Sequence, residues 1–357
     1  MKMPRPLLFA TLLLLGLLLS ACGGGFGASS WPGVTYDEAS NTIYAAYNQH
    51  VYAIQAENGV EAWRFPAEPE NSVSFYAPPT LTEDGQLLVS GYNNRLYSLD
   101  PASNGQTNWT FAGAGNRFVA SAASSTDVIF APNSDRRLYA LSAEGNLQWT
   151  FGTSEAQWAA PAVNGGAVYL PSMDHNLYAV DSQSGSLLWE QDMGGTIVGV
   201  PALSEDGMLY VGTFGAEVLA VRASNGVVQW RAATEDWVWG GPSILDGVVY
   251  ATDLAGNVYA FDAESGTELW QAAAGSAITG APLVANEHVY VGTESGDVVA
   301  IDLTGRIAWT VTLDGQAYGS PIAAGELIVV GLVESESDSV LAALDAANGN
   351  RVWEFIP

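Results

Sequence analysis

Few residues in this sequence have the type and spacing that chemistry requires. His50, His175 and His288 lie far apart, with no HExxH pair and no other ligand spacing, so no metal site is expected from them. There is no G-x-S-x-G elbow, and Gly113-Ala114-Gly115 lacks the third glycine and the helix of a dinucleotide site. No catalytic residue is assigned. The run Glu334-Ser335-Glu336-Ser337-Asp338-Ser339 alternates carboxylates that could hold Ca²⁺ at Glu334, Glu336 and Asp338. It lacks the glycines and fixed spacing of calcium loops, and a solvated acidic hairpin is the favoured reading. Recognition chemistry is better represented. Tyr76, Trp158, Trp239 and Tyr318 each stand three residues before a proline, and Phe118 is placed in the same series. Arg95, Arg117, Arg136 and Arg137 cluster in a chain otherwise poor in positive charge.

The chain's composition narrows the classes. Its 357 residues are 48% apolar and 14% charged, too apolar for disorder. Thirty-eight acids against 11 Lys plus Arg give a net charge of −27. Removing a leader that contains Lys2 and Arg5 and no acid would take −27 to −29 and leave nine Arg and no Lys. Nonspecific binding to nucleic acid or anionic lipid, which needs clustered positive charge, is disfavoured.

The leader itself is an address. Lys2 and Arg5 precede an apolar run of 13 residues, Leu7 to Leu19, shorter than the roughly 20 that span a bilayer. Leu19-Ser20-Ala21-Cys22 then places the only cysteine after small residues, as in a bacterial lipobox, with an ordinary signal peptide cut near Ala21 as the alternative. A lone cysteine excludes an internal disulfide and any multi-cysteine metal cluster. The organisation expected is a signal peptide at 1–21, lipidated Cys22 and a Gly/Ser tether at 22–30, and one domain at 31–357. That domain would be held extracytoplasmically at a membrane: the periplasmic side of an outer membrane, or the outer face of the plasma membrane in a one-membrane host.

The elements that position the recognition residues are set by a repeat. Trp63, Trp109, Trp149, Trp189, Trp230, Trp270, Trp309 and Trp353 are spaced by 46, 40, 40, 41, 40, 39 and 44 residues, each with Gly four positions earlier. Each unit carries four short segments of period-2 pattern separated by Gly/Asn/Asp turns. This predicts an all-β, eight-bladed propeller of four-stranded antiparallel blades, in which the tryptophans are structural and dock one blade on the next. The innermost strand begins at the proline of each unit, so the aromatics three residues earlier should ring the axial mouth, with Val198 and Thr279 completing the series and Trp237 nearby. They would form either a recognition surface or a packing between blades. The four arginines converge on one sector of that face, where they would grip a carboxylate-bearing peptide or glycan, or neutralise acids such as Asp135 and Glu68.

Ala179-x-Asp181-x-x-x-Gly185-x-x-x-Trp189 resembles the tryptophan-docking motif of quinoprotein-type (PQQ-like) propellers, as do the stretches at Ala260 to Trp270 and Ala343 to Trp353. Two branches of that family frame the functional expectation. The PQQ-dependent dehydrogenases are larger, carry insertions that build a Ca²⁺-assisted cofactor site, and often have an adjacent cysteine pair that this chain lacks. The BamB branch of outer-membrane β-barrel assembly lipoproteins is similar in length, lipobox, blade number and lack of cofactor, though this chain is more acidic and Lys-free. The resemblance implies a monomeric, non-enzymatic scaffold that binds envelope proteins or extended peptides, without PQQ. A small-ligand or glycan receptor is the alternative, and a PQQ-dependent oxidoreductase the third reading.

Overall fold

Four strands recur eight times along the chain. The structure, a computed structural model, describes residues 31–357 apart from Asn71, so Cys22 and the leader lie outside the described residues. Blade four shows the unit: Ala162–Asn164, Ala167–Pro171, Asn176–Asp181 and Leu187–Asp192 pair antiparallel in sequence order. Eight such four-stranded sheets form among the described residues, each from one contiguous stretch of chain. The first strands of neighbouring blades contact one another around the axis, which makes them innermost.

The repeat motif has a physical account at every position. Ala179 lies directly across from Trp189, so a small residue leaves room for the indole. The register slips one residue later, between Ala179 and Val180, and the same bulge follows the residue opposite the docking Trp in every blade. Asp181 then caps the turn, its carboxylate accepting from the Gln183 and Ser184 amides and the Ser184 hydroxyl. Gly185, at φ 70°, closes the turn where other residues are strained.

Those turn glycines also receive the preceding blade's tryptophan. A Cβ on Gly266 would sit 2.6 Å from the Trp230 ring, so only glycine lets the indole lie flat on the turn. Indole nitrogens donate across the same interface, as Trp230 Nε1 to Ala263 O (3.0 Å) and Trp189 Nε1 to Ala223 O (2.9 Å) do. The ring closes the same way, with Trp353 against Gly59 and its Nε1 donating to Ala56 O at 2.8 Å.

The core is therefore distributed. Eight apolar clusters each span two adjacent blades, the one between blades eight and one included. A four-stranded sheet cannot bury both of its faces alone, and stacking around an axis buries them against each other.

Candidate functional site

The connections entering each blade run along the same face as the hairpins between second and third strands. Met173 N bonds to Ala156 O, Phe214 N to Thr196 O and Leu254 N to Trp237 O, tying each connection to the hairpin of the blade it enters. Aspartates reinforce this. Asp174 accepts from Ser154 N at 2.8 Å and from Tyr178 OH at 2.8 Å. Asp135 does the same for Gly115 N and Tyr139 OH, and fully buried Asp253 for Asp236 N and Tyr259 OH. Burial and then the Asp135 partner push the Tyr139 hydroxyl up to about 12, and burial and Asp174 push Tyr178 up to about 12. These clamps were not anticipated from the sequence, although Asp and Tyr four residues apart in two hairpins carry a readable signal.

Strand register identifies the residues that ring the mouth. Ala162 pairs with Tyr169 in blade four, and Trp158 stands four residues before it. The equivalent positions are Trp31, Tyr76, Trp158, Val198, Trp239, Thr279 and Tyr318, with Val119 in blade three; Trp31 and Trp158 are exposed and the others half-buried. Exposure reaches 45% at Trp31 and 41% at Trp158. The residues just before them, such as Ile197 and Val238, are the buried ones.

Two expectations change here. Phe118 does not line the mouth: it is fully buried, packs edge-on against Tyr139, and donates its N–H to Gly91 O. That is the core position preceding the mouth residue. Blade three lacks the proline that marks the count, and a one-residue slip along extended chain turns a side chain to the other side. Trp31 was missed for the same reason. Blade one has Val34 in place of the proline, and only the pairing of Thr35 with Tyr44 places Trp31 in the series.

The mouth aromatics form two clusters. Phe214 stacks on Trp237 (centroids 4.9 Å, 10°) and lies 5.1 Å from Trp239. Trp31 contacts Tyr318 at 6.4 Å and Tyr76 at 6.2 Å, and Tyr76 lies 4.2 Å from Tyr92. The Arg117 guanidinium sits over Tyr92, 5.3 Å from its centroid.

Arg95, Arg117, Arg136 and Arg137 are exposed on the hairpins of blades two and three and on the connection between them, and Ser134 N donates to Arg117 O to bring the two elements together. The described residues contain three ion pairs, Arg64–Glu61, Arg231–Glu217 and Arg351–Glu354, and none involves these four arginines. Arg136 Nη1 donates to Ser154 O at 3.4 Å. Asp135 is occupied by backbone amides and Tyr139, not by a guanidinium.

Other candidates separate. His50 Nδ1 is within 2.8 Å of Pro66 O and His288 Nδ1 within 2.8 Å of Asn286 O. Among the described residues no group of three or more His, Cys, Asp or Glu is arranged to hold a metal ion, so Glu334, Glu336 and Asp338 do not converge. Their loop is instead tied down by Asp314, which accepts from Ser335 Oγ and Ser337 N. Inside the ring, a cavity of about 920 Å³ runs along the first strands of blades one to five, lined by Pro78, Ser121, Ala160 and Val200 and by Asp37 and Glu38. The lining presents carboxylates and no Arg or Lys.

The family model for outer membrane protein assembly factor BamB matches residues 47–196, 174–277 and 254–356. The chain belongs to that PQQ-like, BamB family. It is 28% identical over 208 residues to the BamB outer membrane protein assembly factor of Moranella endobia (strain PCIT), covering 53% of this chain and 51% of the relative. It is 25% identical over 196 residues to that of Yersinia pestis, covering 50% and 48%. The chain thus spans about half the length of the curated relatives it matches. Among solved structures, BamB from Moraxella catarrhalis superposes with TM-score 0.72 at 17% identity, over 88% of this chain and 99% of that one. The computationally designed Ika8 protein superposes with TM-score 0.73 at 14% identity, over 92% and 98%. These two likenesses show the fold alone.

Proposed function

We propose that this protein is a non-enzymatic scaffold lipoprotein of the cell envelope that binds partner proteins through the aromatic and arginine-bearing mouth, and takes part in outer-membrane β-barrel assembly where the host has an outer membrane. The observation that carries the reading is the asymmetry of the ring. One face collects exposed Trp31 and Trp158 and half-buried Tyr76, Trp239 and Tyr318 beside four arginines that have no carboxylate partner among the described residues. Trp, Tyr and Arg are the residue types that dominate protein interfaces. Family membership supplies the cellular context, and Cys22 supplies the lipid anchor.

The test is affinity capture from native envelopes with the intact chain, followed by mass spectrometry. Recovery of barrel proteins or their assembly machinery supports the scaffold. Recovery of glycan or wall fragments alone favours the small-ligand or glycan receptor, and quinone absorbance copurifying with the protein would establish the oxidoreductase. Cys22→Ser is expected to move the protein from the membrane to the soluble fraction; persistence in the membrane fraction would refute the anchor.

A further inference from the structure

The mouth is polarised between blades seven and three. At one end, Ala317 N bonds to Thr293 O, which sets Tyr318 beside the blade-seven hairpin bearing Glu294. Reciprocal bonds between Gln316 and Val333 set it beside exposed Glu334 of blade eight. At the other end Arg117 covers Tyr92. Tyr318, Trp31, Tyr76 and Tyr92 run between those ends in steps of 6.4, 6.2 and 4.2 Å. Both ends act on the rings they touch: after burial, Glu294 and Glu334 raise the Tyr318 hydroxyl, while Arg117 opposes the burial-driven rise at Tyr76 and Tyr92.

We propose that this track docks an extended segment of a partner protein that places a cationic side chain toward Glu294 and Glu334, apolar or aromatic side chains on Trp31 and Tyr76, and a carboxylate on Arg117. The inference rests on the protein-binding reading above and gives it a site and a partner chemistry. Charge complementarity decides for a polypeptide. Opposite charges at the two ends of an apolar track match a zwitterionic sequence, whereas a neutral glycan needs open ring faces and no end charges. Tyr76 and Tyr92 lie against each other at 4.2 Å, so neither ring offers two open faces to a sugar. The contour, at roughly 3.3 Å per extended residue, suits a segment of about six residues.

The probes are three labelled, end-blocked peptides, Lys-Gly-Phe-Gly-Phe-Asp and its versions with Lys at both ends or Asp at both ends. Binding to the full chain is read by fluorescence anisotropy. The Lys/Asp peptide is expected to bind about fivefold more tightly than either other, as exposed charge contacts permit. Arg117→Glu should invert the preference toward the two-Lys peptide, Arg117→Gln should abolish the discrimination between the Lys/Asp and two-Lys peptides while the two-Asp peptide stays weakest, and Trp31→Ala should weaken all three. A melting temperature close to that of the unsubstituted protein confirms folding of each variant. Equal binding of the three peptides, no binding of any at millimolar concentration, or full competition by a neutral hexasaccharide overturns the track. If the envelope capture still recovers assembly proteins after such a result, the scaffold reading stands without the track. If the capture fails, the scaffold reading falls and the peptide result alone judges the track.

Discussion

At the residue scale, one side chain per blade does most of the joining. Each docking tryptophan covers the turn glycine of the next blade. Trp230, Trp353 and Trp189 also close a backbone hydrogen bond there. Trp230→Ala removes a buried indole from a packed cluster with little room to collapse, so it should cost about 3–5 kcal/mol, measured by chemical denaturation. The arginines behave oppositely. Replacing Arg95, Arg136 and Arg137 by Ser should move the melting temperature by only about 2 °C, because these side chains are exposed and make no ion pair among the described residues. The same variant should weaken partner binding. A large loss of stability would make the arginines structural. Phe118 shows how narrow the margin is at this scale: Val119, its neighbour, faces the mouth while Phe118 packs in the core.

At the scale of the element, the turns and hairpins are held by carboxylates whose protonation sets the pH range of the fold. Asp100, Asp181, Asp262 and Asp302 are held below the ordinary carboxylate value, first by a hydroxyl of Ser103, Ser184, Ser265 and Thr304 respectively. A depressed folded pKa contributes stability that is present above the unfolded value near 4 and lost as pH falls through the folded one. Tyr139 and Tyr178, pushed up to about 12, contribute stability that is present below 10 and lost as pH rises through about 12. The unfolding free energy should therefore be level between roughly pH 5 and 9 and fall on both sides, which denaturant titrations across pH will show. Tyr178→Phe removes the hydroxyl that Asp174 accepts while leaving the amides of Ser154 and Asn176 on that carboxylate. It should cost about 1 kcal/mol and speed amide exchange in the connection that carries Trp158.

At the scale of the molecule, the ring is closed by side-chain docking and not by a shared strand. Every blade is built from one contiguous stretch of chain, and the joint between blades eight and one uses the same Trp–Gly device as the others. A circular permutant that joins residue 357 to residue 31 through a linker of about four residues, which brings that joint close to the length of the other connections, and opens the turn between Glu205 and Asp206 should melt within a few degrees of the parent. Deleting the last strand, Arg351–Phe355, should instead remove Trp353 and collapse the cooperative transition. A permutant far less stable than its parent would show that the joint is special.

Fold and repeat were legible in the sequence because each blade repeats the same local solution. Small residue, capping aspartate, positive-φ glycine and docking tryptophan are all local in the chain, and their spacing alone specified eight blades. The face bearing Tyr76, Trp158, Trp239 and Tyr318 was legible too, since the prolines mark where each inner strand starts. The tertiary structure alone decided the rest. Where the proline is absent, in blades one and three, only strand pairing fixes the register, so Trp31 emerged and Phe118 withdrew into the core. The closure of Trp353 on Gly59 and the run from Glu334 to Arg117 join residues of different units. Local spacing carries no information about such contacts, because they arise when the blades stack around the axis.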